Sequence, residues 1–498
     1  MKKFLKLVSL VVLVFPFTAP FSQVKAAQSD DLNQYLYSLN YDGNQILAQN
    51  GEKVTNVAPT SGTVNSDGSF TVIKREKKSL NNQSADLAVI ASNGANVYPG
   101  ALVKADSNLA AGDPAIISAK RAPLTLSVDL PGMSANDSSI VVDNPTASGV
   151  RNGLNTLLNR WNTQYATDYP NVPAKIEYSE TMAYSLAQLK TKFGTSFEKL
   201  QVPLNIDFDA INSGEKQVAI VNFRQIYYTV NVDAPEQPGD VFGAGTTVDT
   251  LKNKGLTANT PPAYVSNVSY GRSIYLKLET SSQSNQVKAA FNAAIKGVDI
   301  SNNTEYQDIL KNTSVTAVVL GGDAGEATKV INGDLASVKE VINQGARYNK
   351  LNPGVPIAYK VNFLKDNAPA KVQSTSDYVE TNATTYQKSL LNLDHSGAYV
   401  AKFFVTWDEV SYDANGKEVI TPKAWSGNGQ NLTAHWSQSI QLPGNARNLR
   451  VVAQEATGLA WEWWRTIYDQ QNIPLTGNRT IYIWGTTLYP KVLDTVNS

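Results

Sequence analysis

The sequence has 498 residues, of which 42% are hydrophobic and 17% are charged. This length allows several domains with their own cores, and the composition is too polar for a protein that crosses a membrane many times with helices. Lys plus Arg and Asp plus Glu number 43 each, so no net charge steers the chain to nucleic acid or to anionic lipid. The chain has no cysteine and only two histidines, so we expect no disulfide, no thiol nucleophile and no metal site that is built on cysteine or rich in histidine.

The N-terminus has the features of a secretory signal. Lysines among the first six residues precede the apolar run Leu7–Phe17, which is too short to span a bilayer as a helix. Small residues ending at Ala27 offer a cleavage site. We therefore expect residues 1–27 to be removed and the mature chain to be secreted, rather than kept on a membrane anchor.

The first third of the chain mixes helix and strand. Residues 28–50 place apolar side chains at spacings of three and four, which predicts a helix, and Gly153–Trp161 has the same pattern. Thr71–Leu80 has the pattern of a strand that ends in a basic run, and Leu124–Leu130 alternates as a half-buried strand does. No repeat of fixed period is visible, and this order predicts an α+β fold rather than a parallel α/β sheet.

Two segments in the middle of the chain fit both a helix and a strand. Ala187–Ala210 alternates between apolar and polar residues, and the phase changes after Lys199, where a hairpin turn would lie. Each arm then has about the length of a bilayer-crossing β-strand. Val287–Ile300 also alternates, but it is rich in alanine. An ordinary amphipathic surface helix stays open as the alternative for both segments.

Strong strand patterns lie between and after these segments. Gln217–Val232, Ser273–Leu278 and Ser314–Leu320 are rich in β-branched and aromatic residues. The last of them is followed by Gly321 and Gly322, which indicate a bend or bulge. This glycine pair is either a tight turn or a hinge that lets an edge strand move.

The composition changes at about residue 388, and seven of the eight tryptophans lie beyond residue 400. Short strands at Tyr399–Trp407, Asn448–Ala453 and Arg479–Trp484, with a hairpin turn at Asp413–Gly416, predict a β-sandwich. Its predicted loops are His395–Ala398, Leu432–Trp436, Glu455–Arg465 and Gly485–Pro490.

The loop Glu455–Arg465 reads E-A-T-G-L-A-W-E-W-W-R. Tryptophan suits the headgroup zone of a bilayer, where one end of the ring is dry and the other is wet. The cluster Trp461, Trp463 and Trp464 therefore fits membrane or ligand contact as well as it fits a buried aromatic cluster. Gly458 and the flanking charges predict a mobile loop rather than a packed strand.

This stretch resembles the undecapeptide of the cholesterol-dependent cytolysins, or thiol-activated cytolysins, a family of secreted bacterial pore-forming toxins. It departs from the usual form at one position, where Ala456 replaces Cys. Without that thiol, we expect activity to be indifferent to reductants and to thiol-blocking reagents. Further stretches resemble the family in the same order: Y-P-G-A-L at Tyr98–Leu102, D-L-P-G at Asp129–Gly132, V-S-N-V-S-Y-G-R at Val265–Arg272, V-V-L-G-G-D-A at Val318–Ala324, L-D-H-S-G-A-Y-V-A at Leu393–Ala401 and W-G-T-T-L-Y-P at Trp484–Pro490.

The resemblance covers essentially the whole mature chain and implies an elongated four-domain α+β fold of the MACPF/CDC type. Domain 1, a discontinuous body, would comprise residues 28–50, 87–175, 226–271 and 347–370; domain 2, an elongated β connector, residues 51–86 and 371–387; domain 3, the pore-forming part, residues 176–225 and 272–346; and domain 4, a membrane-binding β-sandwich, residues 388–498.

The resemblance also implies which residues act at a membrane. Thr487 and Leu488 match the pair that recognises cholesterol, and Ala398 and Ala434 match two further loops that enter the bilayer surface. The implied undecapeptide membrane loop consists of Glu455, Ala456, Thr457, Gly458, Leu459, Ala460, Trp461, Glu462, Trp463, Trp464 and Arg465. The segments at about 187–213 and 284–307 match helix bundles that refold into transmembrane β-hairpins.

Four residues are implied in the pairing of subunits. Gly321 and Gly322 match a glycine pair beside the strand whose release allows subunits to pair, and Tyr178 matches an aromatic residue that stacks across subunits. Val315 stands where the family usually has the aromatic partner, so we expect weaker registration of the strands at that point.

The implied protein is a toxin that is secreted as a soluble monomer or dimer, binds membrane cholesterol, assembles into a ring of many subunits and inserts a large β-barrel that lyses the host cell. It would use neither a cofactor nor nucleic acid, and we expect no catalytic residue. The chain lacks the motifs G-x-S-x-G and H-E-x-x-H, which argues against a secreted hydrolase built on His395 or His435. A non-lytic secreted sterol-binding or adhesion protein stays open as the alternative, since it would share the tryptophan-rich tip without needing convertible hairpins.

Overall fold

A computed structural model describes residues 21–90, 97–321, 328–475 and 477–497, so most of the predicted signal segment lies outside the described residues. The helices are α1 (Phe21–Ser38), α2 (Ser107–Ala110), α3 (Ala147–Gln164), α4 (Leu186–Phe193), α5 (Gln201–Leu204), α6 (Phe208–Ser213), α7 (Val248–Asn253), α8 (Val287–Lys296), α9 (Thr304–Lys311) and α10 (Leu335–Gln344). Two short 3-10 helices lie at Thr195–Leu200 and Pro238–Val241.

The strands fall into an N-terminal group and a C-terminal group. The first group is β1 (Ala48–Asn50), β2 (Ser61–Val64), β3 (Phe70–Ser84), β4 (Leu87–Ala88), β5 (Leu102–Lys104), β6 (Leu124–Val128), β7 (Ser139–Val142), β8 (Val172–Pro173), β9 (Lys175–Met182), β10 (Gln217–Val232), β11 (Pro262–Thr280), β12 (Thr313–Leu320), β13 (Thr328–Gly333), β14 (Arg347–Tyr348), β15 (Val355–Phe363) and β16 (Val372–Tyr386). The second group is β17 (Ser389–His395), β18 (Ala401–Tyr412), β19 (Glu418–Ala424), β20 (Trp436–Leu442), β21 (Ala446–Leu459), β22 (Glu462–Ile473), β23 (Asn478–Thr486) and β24 (Tyr489–Asn497).

The N-terminal part is built on one sheet whose longest strands, β10 and β11, pair antiparallel from Gln217↔Thr280 to Asn231↔Asn267. The bounds of β10 are those predicted from its β-branched and aromatic residues, so that prediction is confirmed. On one side of this pair lie β12 and then β13, and on the other side β9 pairs with the first half of β10. Helix α3 packs on the far end of the sheet through Leu157 and Trp161.

The two ambiguous segments are helical, and they cover opposite faces of this sheet. The first segment, which forms α4 to α6, packs against a sheet face that includes Ile220 and Val318. The second segment, which forms α8 and α9, packs against the other face, which includes Val221 and Ala317. The helical alternative is therefore the form in this structure, and the apolar side chains of each segment are buried against one face of the sheet.

A narrow β connector leads from this sheet to the C-terminal part. Its strands have the order β1-β16-β3-β2, and β3 and β16 pair antiparallel from Val372↔Ser84 to Tyr386↔Phe70. Helix α4 lies against this connector. Asn82 donates from Nδ2 to the carbonyl oxygen of Thr191 over 2.9 Å, and the rings of Tyr184 and Tyr378 stack with centroids 5.5 Å apart.

The C-terminal part is a sandwich of two four-stranded sheets with the orders β20-β17-β23-β24 and β19-β18-β21-β22. Inward-facing side chains of both sheets, such as Leu393, Phe403, Val451 and Ile481, form its core. The predicted α+β class and the predicted C-terminal β-sandwich are confirmed. Among the helices that the structure describes, none is both long and apolar enough to cross a bilayer.

Candidate functional site

Four chain segments meet at one end of the sandwich. The Ala398 N–H donates to the carbonyl oxygen of Gly485, and the Ala456 N–H donates to that of Val400, both over 2.8 Å. Ala401 and Leu432 exchange a pair of backbone hydrogen bonds of 2.9 Å. All four predicted loops of the sandwich are thereby joined into one tip.

The stretch Glu455–Arg465 is the end of a β-hairpin. Strand β21 continues to Leu459 and β22 begins at Glu462, so only two residues form the turn. The prediction of a mobile loop was therefore wrong. The ladder reaches the turn because Gly458 has a positive φ of 76° that allows a bulge, and because the Thr457 hydroxyl donates to the carbonyl oxygen of Glu462 across the two strands.

The tryptophans of this hairpin do not form a buried cluster. Trp461 and Trp463 are 83% and 63% exposed, and only Trp464 is partly covered, by the Lys402 ammonium 4.0 Å from its ring centre. Of the two alternatives for this cluster, the structure favours contact with a membrane or a ligand. Neighbouring tryptophans that are this exposed are not packed in a protein core.

A second hairpin, formed by β23 and β24, places its turn residues Thr487 and Leu488 at the same tip. Leu488 is 78% exposed, and the next residue, Tyr489, is 75% exposed. Gly485 has a φ of 98°, and a Cβ at this position would lie 2.3 Å from the carbonyl oxygen of Tyr489, so the turn requires glycine. Our sequence reasoning missed Tyr489, although it directly follows Leu488 in the motif W-G-T-T-L-Y-P.

Arg465 joins the two hairpins. Its guanidinium lies 3.4 Å from Glu455 Oε1 and 3.0 Å from Glu462 Oε2, and it donates to the carbonyl oxygen of Thr487 over 3.4 Å. The side chain of Glu455 is fully buried. Burial raises the pKa of Glu455, and the charge of Arg465 opposes this rise. The sequence pattern identified Glu455, Glu462 and Arg465 only as charged residues near the tryptophans and did not predict these contacts.

His395 holds the adjoining turn from within. Its Nδ1 accepts a hydrogen bond from the Gly397 N–H over 3.2 Å, so the proton sits on Nε2, which donates to the carbonyl oxygen of Tyr399 over 2.9 Å. The ring is buried, and burial lowers its pKa. His395 thus acts as a neutral brace for the turn that carries Ala398.

We expect acid to weaken this turn. Because the pKa of His395 is lower in the folded protein than in the unfolded chain, its stabilising effect is complete above about pH 6.5 and is lost as the pH falls through the lowered pKa. His395→Gln keeps a donor and an acceptor but cannot titrate. Thermal unfolding followed by tryptophan fluorescence at pH 7.5 and pH 5 should show a smaller acid-induced decrease in Tm for the variant, and equal decreases would contradict the assignment.

The other described residues predicted to act at the membrane or between subunits lie at the tip and on or beside the strands of the large sheet. Ala398 and Ala434 are exposed at the tip. Tyr178 is 50% exposed on β9, whereas Val315 is buried on β12, so β10 and β11 separate them within one chain. Gly321 follows β12 with a φ of 82°, and a Cβ there would lie 2.5 Å from Val355. Gly322 lies outside the described residues.

Comparison with known proteins gives matches over nearly the whole chain. The family model for the thiol-activated cytolysins matches residues 31–386, and the model for the β-sandwich domain of these cytolysins matches residues 390–491. Ivanolysin of Listeria ivanovii is 49% identical over 97% of this chain and 91% of its own length. The crystal structure of listeriolysin O has a TM-score of 0.91 at 47% identity and covers 96% of this chain and 98% of its own. That of suilysin from Streptococcus suis has a TM-score of 0.88 at 59% identity, with 94% and 100% covered.

Proposed function

The chain belongs to the thiol-activated, cholesterol-dependent cytolysins, a family of pore-forming toxins, and on this basis we propose that it binds membrane cholesterol through its C-terminal tip, assembles into rings and inserts a β-barrel. It would act after secretion, at the membrane of a host cell. The observation that carries the proposal is the exposure of Trp461, Trp463 and Leu488 together at one braced end of the sandwich.

In this proposal one hairpin of the tip binds the sterol and the other contacts the headgroup zone. The Thr487 hydroxyl meets the sterol hydroxyl, and the exposed Leu488 packs on the rings. Trp461 and Trp463 settle in the headgroup zone, where their amphipathic rings are favoured. The main membrane contact thus comes from apolar surface, in agreement with the equal numbers of basic and acidic residues.

The sheet edges support ring formation. Among the described strands, β9 pairs only with β10, so its other edge is free, and it carries the exposed Tyr178. At the opposite side β13 covers the edge of β12 from Val315↔Gly333 to Leu320↔Thr328. Release of β13 at the Gly321 bend would open β12 to the β9 edge of a neighbouring subunit.

Chain topology supports the refolding of both helical segments. The first segment connects β9 to β10 and the second connects β11 to β12, and these four strands are neighbours in one antiparallel sheet. The ends of these strands that carry the two segments lie at the same end of the sheet, as shown by the pairs Ala219↔Met182, Gln217↔Thr280 and Thr280↔Thr313. Extending this sheet through both segments gives two hairpins already in register. A lone monomer could not satisfy their outer edges in lipid, so assembly must precede insertion.

A dye-release assay tests the proposal. We expect release from vesicles that contain cholesterol and none from vesicles without it. Leu488→Ser should weaken binding roughly tenfold or more, because burying a leucine side chain is worth about 2 kcal/mol. Leu351→Ser is the matched control, since Leu351 is 81% exposed on the body of the molecule. Release without cholesterol would overturn sterol recognition, and binding without release would support the non-lytic alternative.

A further inference from the structure

A cavity of about 200 Å³ lies where four parts of the chain meet. Its walls come from the connector (Asn82), from α4 and the following 3-10 helix (Lys192 and Ser196), and from β9 and β10 (Glu177 and Arg224). The fourth wall is the turn after α2, where a Cβ on Gly112 would lie 3.4 Å from the Ser196 hydroxyl. The cavity is therefore closed on one side by the helical segment proposed to refold.

Among the charged residues that line this cavity, the carboxylates have ion-pair partners in the described chain and the cations do not. Both of its carboxylates already have cations outside it: Glu177 binds Lys175 over 2.6 Å, and Asp86 lies 3.8 Å from the Lys360 ammonium. Across the described part of the chain, neither the Arg224 guanidinium nor the Lys192 ammonium has a hydrogen-bond or ion-pair partner. Glu177 lies directly opposite Arg224 across β9 and β10, but its carboxylate is paired with Lys175. Arg224 and Lys192 therefore line the cavity without an ion pair of their own among the described residues.

Neutral donors complete this lining. Ser179 and Ser196 also line the cavity, and their hydroxyls make no hydrogen bond to any described group. Ser196 is only 6% exposed. A guanidinium, an ammonium and free hydroxyls are the donor set that binds phosphate oxygens, with the guanidinium able to form a bidentate contact. A ligand of opposite charge would give Arg224 and Lys192 the ion-pair partner that both lack within the described chain.

We propose that this cavity binds a small anion of the phosphate ester or pyrophosphate class, and that the bound anion holds α4 against the sheet and delays pore formation. The delay rests on the proposed function, since it assumes that α4 refolds before insertion. Lys192 lies in the last turn of α4, so the site exists only while α4 is helical. An anion that binds only the helical form stabilises that form in proportion to its occupancy.

Isothermal titration calorimetry with inorganic pyrophosphate tests the site itself, in buffer free of phosphate and sulfate. We expect one binding event in the wild-type protein and at least a tenfold loss of affinity in both Arg224→Gln and Lys192→Gln. Lys199→Gln is the matched control, because Lys199 is exposed on the same helical segment and does not line the cavity. No binding to the wild type, or unchanged affinity in both variants, would overturn the site.

Dye release then tests the regulatory role. Pyrophosphate should lengthen the lag before release for the wild type and for Lys199→Gln, and it should leave the lag of Arg224→Gln unchanged. Binding without any change in the lag would overturn the regulatory role. If the wild type released no dye under any condition, the proposed pore function would fail, but the calorimetric result would still decide whether the anion site exists.

Discussion

A disulfide across β12 and β13 should leave membrane binding intact and reduce pore formation at least a hundredfold. Thr316 and Asn332 lie directly opposite each other in this antiparallel pair, within the separation that a disulfide can bridge. With Thr316→Cys and Asn332→Cys oxidised, β13 cannot leave the edge of β12, so no neighbouring β9 can pair there. Dye release measures the loss, and vesicle co-sedimentation measures the retained binding.

Reductant makes this experiment reversible. Dithiothreitol should restore release by the double variant, and it should not affect the wild type, which has no cysteine. The single variant Thr316→Cys is the control for the substitution itself. Release by the oxidised double variant at the wild-type rate would show that β13 does not have to leave β12, and the proposed route to the ring would then fail.

Local sequence patterns predicted those parts of the fold that depend on neighbours along the chain. Gln217–Val232 is rich in β-branched and aromatic residues, and β10 has these bounds. The middle segments, 187–213 and 284–307, were ambiguous for a physical reason. Their apolar residues suit a helix packed on a sheet face and, at alternate positions, also suit a strand with one apolar side, so the pattern alone could not decide between them.

The features that sequence reasoning missed depend on distant contacts. The contact between Arg465 and the carbonyl oxygen of Thr487 joins residues 22 positions apart through a backbone atom, which carries no sequence signal. The cavity beside α4 gathers Asn82, Lys192 and Arg224 from three separate parts of the chain. For Glu455–Arg465 the error was local: glycine and charged residues suggested a loop, whereas the ladder of β21 and β22 continues through them because Gly458 absorbs a bulge.

Replacing the partly buried Arg465 should impair the whole tip. Arg465→Ala leaves the fully buried Glu455 carboxylate without a cation and removes the donor to Thr487, so both hairpins lose their common brace. We expect dye release to fall at least tenfold. Arg450→Ala is the matched control, because Arg450 also pairs across β21 and β22, with Asp469, but both side chains of that pair are well exposed, and such pairs contribute little.

The pH dependence separates a charge effect from a packing effect. Burial already raises the pKa of Glu455, and loss of Arg465 raises it further, so the folded variant keeps this proton to a higher pH than the unfolded chain does. Its stability is then least reduced below the ordinary glutamate pKa of about 4.3 and falls as the pH rises through the raised value. Glu455→Gln in the Arg465→Ala background should remove this dependence and recover part of the stability. A defect of equal size at every pH, which Glu455→Gln does not relieve, would mean that Arg465 acts through packing alone.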